Sequence, residues 1–141
     1  MSNPTYLSGM LFTKAHRLVR GRVYDILDTY DLNPTLWSLL SIVSKAVDGV
    51  RSSVVAEQLG VKPPMITMLA DQLVEQGLLS RVLHHTDGRV RILVANAKGK
   101  KLVSEIETKL NAEIGILLEG LSHDEISTFQ KTLTTIIDNA K

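Results

Sequence analysis

The chain of 141 residues contains no cysteine and only 4% aromatic residues. Without thiols it can form neither a disulfide nor a thiolate metal site, so a cytoplasmic location is expected. No apolar run reaches the roughly 18 residues of a membrane-spanning helix. Basic residues interrupt the first thirty positions, where a signal peptide would need an apolar stretch. The sequence therefore favours a protein that is neither secreted nor embedded in a membrane.

Motifs for catalysis are missing as well. The sequence has neither a glycine-rich phosphate loop nor the G-x-S-x-G turn of a nucleophilic serine. The acids Asp124 and Glu125 follow Ser122, where a helix start accounts for them through the helix dipole. We therefore expect a protein that is not an enzyme and that needs no cofactor.

Positive charge is concentrated in the middle of the chain, although the net charge is only +1. From Leu78 to Lys101 six basic residues stand against the single acid Asp87, whereas from Leu102 to Lys141 seven acidic residues outnumber three basic ones. The six basic residues are Arg81, Arg89, Arg91, Lys98, Lys100 and Lys101. A basic segment inside a nearly neutral chain indicates a local contact with nucleic acid.

Apolar residues recur every three to four positions over most of the chain, which predicts a mainly helical protein. A first helix is expected from Ser8 to Tyr30, where the apolar positions run from Leu7 to Tyr30. Asn33 followed by Pro34 predicts a capped second helix. That helix is expected to end near Asp48 and Gly49.

Two short helical patterns on either side of Gly60 predict a helix-turn-helix. Ser52 or Ser53 is expected to cap its first helix, and Pro63 opens its second, which Gly77 ends. The side chains expected to face inward are Val54, Val55, Ala56 and Leu59 in the first helix, and Ile66, Leu69, Ala70, Leu73 and Val74 in the second.

A β-hairpin should follow, with strands at Leu79–His85 and Arg89–Ala95 joined by a two-residue Asp87-Gly88 turn. Asn96 can cap a fifth helix, and Ser122 with Glu125 forms the capping box of a sixth. The sixth helix is expected to bury Ile126, Phe129, Leu133, Ile136 and Ile137.

This order of elements resembles the MarR family of winged helix-turn-helix transcriptional regulators. Three motifs carry the resemblance: Asn33-Pro34-Thr35-Leu36-Trp37; Val55-Ala56-Glu57-Gln58-Leu59-Gly60-Val61 with Leu69, Leu73, Glu75, Gly77, Leu78 and Arg81; and Asp87-Gly88-Arg89 with Leu93, Asn96 and Gly99. The last departs from the family's wing pattern, because Ala95 stands in place of a leucine and Asn96 in place of a threonine.

The resemblance implies a mainly α fold with a small β-hairpin wing and with N- and C-terminal dimerisation helices. Residues 1–32 and 101–141 would form the dimerisation region, and residues 33–100 the DNA-binding lobe. It further implies a homodimer that binds a roughly palindromic double-stranded DNA site, and a repressor that a small aromatic effector releases.

The resemblance also implies which residues contact DNA. Besides Ser52, the expected contacts lie on and just before the fourth helix, at Lys62, Pro63, Met65, Thr67, Met68 and Gln72, and on the wing, at Arg81, Arg89 and Arg91. Arg89 at the wing tip would enter a minor groove, and Asp87 and Gly88 would shape the tip. The fourth helix departs from the family, since Met68 occupies a position where an arginine or lysine is common.

Three further readings concern residues outside that set. Trp37, Tyr24 and Tyr30 could line a ligand pocket or simply pack in the core. His84 and His85 are poor partners for one metal, because neighbours on a strand point to opposite faces, so no metal site is expected. The exposed methionines of the fourth helix suggest an alternative function, a winged-helix module that binds another protein.

Overall fold

The computed structural model describes residues 4–84 and 86–141. Its helices and strands follow in the order α1 (Pro4–Asp28), α2 (Pro34–Lys45), β1 (Val50–Arg51), α3 (Ser52–Leu59), α4 (Pro63–Glu75), β2 (Leu79–Leu83), β3 (Arg91–Ala95), α5 (Ala97–Leu117) and α6 (His123–Asn139). The strands form one antiparallel sheet in the order β1-β3-β2. The predicted fold class, mainly α with a winged helix-turn-helix, is confirmed.

One apolar core holds the helix-turn-helix, the sheet and the start of α5 together. Leu39 and Leu40 of α2, Leu73 of α4, Leu93 of β3 and Ile106 of α5 are all completely shielded from solvent. Each such side chain contributes roughly 1.5–3 kcal/mol by leaving water. The core therefore fixes α4 and the wing to a common support.

Local capping signals identified most helix ends correctly. The Asn33 side chain accepts a hydrogen bond from the Leu36 backbone N–H at 2.8 Å, as expected of a helix cap. Gly60 adopts a positive φ of 68° at the end of α3. Ser122 and Glu125 form both bonds of the capping box. The Ser122 backbone N–H, followed by its hydroxyl, lowers the pKa of the Glu125 carboxyl.

Two expectations about the first half of the chain were wrong, and one strand was not predicted. The first helix begins at Pro4 rather than Ser8. Neither Ser52 nor Ser53 caps α3; Arg51 holds that position without a side-chain bond, because its backbone pairs with Ile92 and draws Ser52 into the first turn. The two-residue strand β1 was not predicted, since it exists only through this pairing.

Two predicted buried faces also needed correction. Val54 is 38% exposed, because Val55 and Ala56 occupy the inward face of the short helix α3. No residue of α6 is buried, and Phe129 and Ile137 are 46% and 58% exposed. Among residues 4–84 and 86–141 of a single copy, no element packs closely enough against α6 to bury its apolar stripe.

The wing loop is longer than the predicted two-residue turn. The paired strands stop at Leu83 and resume at Arg91, although a hydrogen bond from the His84 N–H to the Val90 carbonyl at 3.1 Å continues the ladder. The tip turns at Asp87, whose carbonyl accepts from the Val90 N–H at 3.1 Å. The predicted strand end at His85 lies outside the described residues.

Close backbone packing joins the end of α4 to the start of α5. Asn96 caps α5 by accepting from the Gly99 N–H at 2.9 Å, and its amide donates to the Gly77 carbonyl at 2.6 Å. Gly99 is buried against the carbonyl of Leu78, and any side chain there would overlap that oxygen. Gly99 is therefore required by contact rather than by its backbone angle.

We predict that Gly99→Ala destabilises the fold by about 1–3 kcal/mol, because the added methyl forces the Leu78 backbone to move. Urea unfolding at one fixed protein concentration measures the loss. Gly88→Ala is the matched control, since a methyl at Gly88 meets open space. Equal stability of the two variants would contradict the required contact.

Candidate nucleic-acid interface

Helix α4 presents one face to the core and the opposite face to solvent. Its inward residues are Ile66, Leu69, Ala70 and Leu73, which are all buried. The residues predicted to contact DNA, Pro63, Met65, Thr67, Met68 and Gln72, are all exposed. The large apolar side chains of Met65 and Met68 are 41% and 50% accessible and lie one helical turn apart, so they form a small apolar patch on this face.

Arg81 connects α4 to the wing. Its guanidinium lies 2.6 Å from the Asp71 carboxylate and donates to the Thr67 carbonyl at 3.0 Å. Only 29% of the Arg81 side chain is exposed. The structure thus gives Arg81 a bracing role between β2 and α4, and its predicted contact with DNA remains a prediction.

The wing tip places one cation far from the body of the protein. The Arg89 side chain is 93% exposed, and its Nε lies 3.3 Å from Asp87 Oδ1. The same carboxylate oxygen accepts from the Arg89 backbone N–H at 3.0 Å. These two bonds, the backbone one first, lower the pKa of the Asp87 carboxyl. Asp87 thus bonds both the backbone and the side chain of Arg89, and its role in shaping the tip stays a prediction.

Two other side chains stabilise the loop that carries Arg89. The Arg91 guanidinium donates to the Gly88 carbonyl at 2.9 Å. His84 Nδ1 accepts from the backbone N–H groups of Thr86 and Asp87, both at 3.2 Å. The sequence analysis missed this role of His84, because it considered the two adjacent histidines only as possible metal ligands. The available signal was the position of a polar residue just before a turn.

The remaining predicted contacts surround this surface. Lys62 is exposed at the start of α4, and Lys100 and Lys101 are exposed on α5. Lys98 donates to the Gln76 carbonyl at 3.0 Å and so supports the end of α4. Ser52 is half-buried in the first turn of α3, which leaves less of its side chain available for a contact than expected.

The three aromatic residues proposed for a ligand pocket have different surroundings. Trp37 is half-buried and packs against the core. The Tyr30 hydroxyl donates to Glu105 at 3.2 Å, while Lys109 lies over its ring at 4.8 Å. Tyr24 is 39% exposed. None of the three lines the shallow cavity between α1 and α5, whose walls are Arg22, Asp25, Ile26, Thr29, Lys109 and Glu113.

The described residues contain neither a cluster suited to a metal ion nor a helix suited to a membrane. In positions 4–84 and 86–141, no three histidine or acidic side chains lie close enough together to hold a metal ion. His85 was part of the metal hypothesis and lies outside these positions. Among the same residues, no helix is both long and apolar enough to cross a membrane.

Comparisons with known proteins agree on one family. The family model described as MarR family matches residues 32–90, which span the helix-turn-helix and the wing tip. A transcriptional regulator of the MarR family from Rhodococcus sp. RHA1 superposes with a TM-score of 0.80 at 26% identity, over 96% of both chains.

Two further structures are similar to this chain. CouR from Rhodococcus jostii RHA1, bound to p-coumaroyl-CoA, has a TM-score of 0.76 at 27% identity, over 91% of this chain and 89% of CouR. The S. aureus MepR-DNA complex has a TM-score of 0.74 at 19% identity, over 99% of both chains, which shows a shared fold.

We predict that Arg89→Ala raises the pKa of Asp87 only part of the way to its ordinary value. Alanine removes the guanidinium but keeps the backbone N–H, which is the larger cause of the lowered pKa. In the native wing the stabilisation from these bonds is fully present at pH values above the ordinary pKa of Asp87. It is lost as the pH falls through the lowered pKa. Carboxyl carbon shifts of Asp87 across an acid titration by NMR measure the change.

Lys131→Ala on α6 is the control and should leave the Asp87 titration unchanged. An Asp87 pKa that is the same in Arg89→Ala and in the wild type would show that the guanidinium makes no contribution. A full return to the ordinary value would show that the backbone bond is not formed in solution.

Proposed function

We propose that this chain, of which a MarR family model matches residues 32–90, is a transcriptional regulator that binds a specific, roughly palindromic double-stranded DNA site as a homodimer. We propose further that it acts as a repressor and that a small aromatic effector releases it. In this scheme residues 33–100 form the DNA-binding lobe, and residues 1–32 and 101–141 form the dimerisation region. The role is binding rather than catalysis, and it agrees with the cytoplasmic location expected from the sequence.

The observation that carries the proposal is the joint exposure of α4 and the wing tip on one braced lobe. Met65 and Met68 project from α4, and Arg89 projects from the wing. Arg81 holds the two elements together through Asp71. A helix of this size fits a major groove, and an arginine at a hairpin tip can reach the neighbouring minor groove. MepR, which shares this fold, has been seen in complex with DNA.

Exposed apolar residues outside the DNA-binding lobe support the homodimer. On α1 they are Leu7, Met10, Leu11 and Leu18, and on α6 they are Phe129, Ile136 and Ile137. Residues of this kind rarely form a large exposed patch in a protein that stays monomeric. A second copy that packs against the same helices would cover both stripes in a two-fold symmetric interface.

The effector proposal is supported by CouR, a similar protein bound to p-coumaroyl-CoA. In this chain Tyr30 lies against α5, where its hydroxyl donates to Glu105 and Lys109 lies over its ring. We propose that an aromatic acyl effector binds near Trp37, Tyr24 and Tyr30. A ligand can release DNA there only if it binds more tightly to a lobe spacing that does not fit DNA.

A second function is favoured by one observation, the exposure of Met65 and Met68 on α4. Flexible methionine side chains suit surfaces that adapt to a protein partner. In that case α4 would be a protein-binding face, and DNA affinity would be weak and independent of sequence.

We predict that Arg89→Ala weakens binding to the specific DNA site by about 1–3 kcal/mol, because it removes a cationic side chain that is 93% exposed at the wing tip. Fluorescence anisotropy measures affinity for a duplex selected by the purified protein from a random pool, against a scrambled duplex, at several salt concentrations. Lys131→Ala on α6 is the matched charge control and should bind as the wild type does. Failure to select any sequence would support the protein-binding alternative.

The same complex tests the effector. Addition of p-coumaroyl-CoA, with coenzyme A alone as control, should lower the anisotropy if an aromatic acyl group releases the DNA. Anisotropy that stays constant for p-coumaroyl-CoA and for free aromatic acids would contradict the effector proposal while leaving DNA binding intact.

We predict that Ile137→Glu shifts the chain toward the monomer, because it places a charge in the apolar stripe of α6. Analytical ultracentrifugation should show wild-type protein at twice the chain mass of 15.6 kDa. Val47→Glu is the control, since Val47 is 90% exposed in the connection before β1, outside the proposed interface. A wild-type protein that sediments as a monomer at micromolar concentration would contradict the dimer.

A further inference from the structure

The outward face of α4 has an unusual chemistry for a helix that reads DNA. Its sequence, PPMITMLADQLVE, contains no lysine or arginine. Met65, Met68 and Gln72 are spaced three and four residues apart, so they share one stripe of the helix surface. We propose that this stripe selects A·T pairs in the major groove, with Met65 and Met68 packed against thymine methyl groups. The inference rests on the proposed function and names the bases that it reads.

Arg81 removes the negative charge that would otherwise oppose this contact. Asp71 is the acid nearest the methionine stripe in sequence, and the Arg81 guanidinium holds it at 2.6 Å while also bonding the Thr67 carbonyl. Thr67 and Asp71 are four residues apart and so lie on the flank of α4 that faces the wing. The ion pair therefore keeps the carboxylate turned toward β2 and leaves an uncharged stripe for the groove.

The N-terminal half of α4 is the part suited to enter the groove. The N-terminus of a helix is favourable for nearby phosphates, and Lys62 adds a positive charge immediately before it. Glu75, the other acid of α4, lies ten residues beyond Met65, roughly 15 Å along the axis at 1.5 Å per residue. Met65 and Met68 can therefore contact base edges while Glu75 stays outside the duplex.

The side chains of the stripe match one base pair better than the other. Guanine is usually read by a paired arginine or lysine, and α4 has neither. Cytosine offers an amino donor to a carboxylate, and Asp71 is already occupied by Arg81. Thymine presents a methyl group for apolar contact, and adenine presents a donor and an acceptor that a glutamine can satisfy together. Met65 and Met68 can therefore contact the thymine methyl, and Gln72 can bond adenine, so the stripe fits A·T pairs.

Deoxyuridine provides a direct test, because uracil differs from thymine only by the missing methyl group. A specific duplex is first selected from a random pool by the purified full chain. Each thymine of its half-sites is then replaced in turn by deoxyuridine, and the affinities are compared by fluorescence anisotropy. We expect A·T-rich half-sites and a loss of about fourfold for each methyl that a methionine covers.

Variants of the chain show which side chain senses the methyl. In Met65→Ala/Met68→Ala the difference between thymine and uracil duplexes should vanish. Both side chains are exposed, so the variant should fold, which circular dichroism melting verifies. Arg89→Ala is the matched control: it should weaken both duplexes and leave their affinity ratio unchanged.

The outcomes separate this inference from the proposed function. Selected sites that bind equally well with uracil, or that depend mainly on guanine, would overturn the methyl contact while the DNA-binding function stands. A ratio that survives the double methionine change would overturn the assignment to Met65 and Met68. Failure to select any sequence would overturn both the inference and the proposed function.

Discussion

The contact between Gly99 and Leu78 is the constraint on which the arrangement of the helix-turn-helix and the wing depends. At this point the start of α5 lies so close to the backbone of Leu78, just before β2, that only hydrogen fits at the Cα of Gly99. Asn96 completes the junction, because one side chain caps α5 and also bonds the Gly77 carbonyl at the end of α4. The end of α4, the base of the wing and the start of α5 are thus fixed to one another by backbone geometry.

This junction makes α5 a structural link between the helix-turn-helix and the N-terminal helix α1. The helix has 21 residues, which corresponds to a length of about 32 Å. Along it Glu107 pairs with Lys45 of α2 at 2.6 Å, and Glu113 pairs with Arg22 of α1 at 2.5 Å. These pairs are largely exposed and contribute little stability, but they orient α1 and α2 on the same helix. A change in the spacing of two copies of α5 would therefore move α4 and the wing as one body.

Local chemistry made much of the fold predictable. Asn33, Gly60 and Asn96 each mark a helix end through a conformation or a hydrogen bond made within a few residues, and the structure agrees with the sequence at all three. The MarR resemblance, drawn from the helix-turn-helix and wing motifs, is likewise confirmed by the family match over residues 32–90.

The errors arose where distant residues decide the local structure. Strand β1 forms only because Val50 pairs with Leu93, a contact that no short pattern announces. Within the candidate site, the exposure of α4 and the place of Asp87 followed from periodicity and turn chemistry. The ion pair of Arg81 with Asp71 was not predicted, because it joins β2 and α4, whose relative placement the sequence left open.

The apolar stripe of α6 shows how the same limit applies to assembly. Ile126, Phe129 and Leu133 follow at steps of three and four, the pattern of a helix with one buried face, yet no residue of α6 is buried within one chain. The pattern does mark an apolar face, but none of the described residues of the same copy buries it. Removing such side chains from water stabilises the assembly by roughly 25 cal/mol for each Å², so the packing of a second copy there would be favourable. Because α5 leads directly from Gly99 toward α6, that interface would also set the distance between the two DNA-binding lobes.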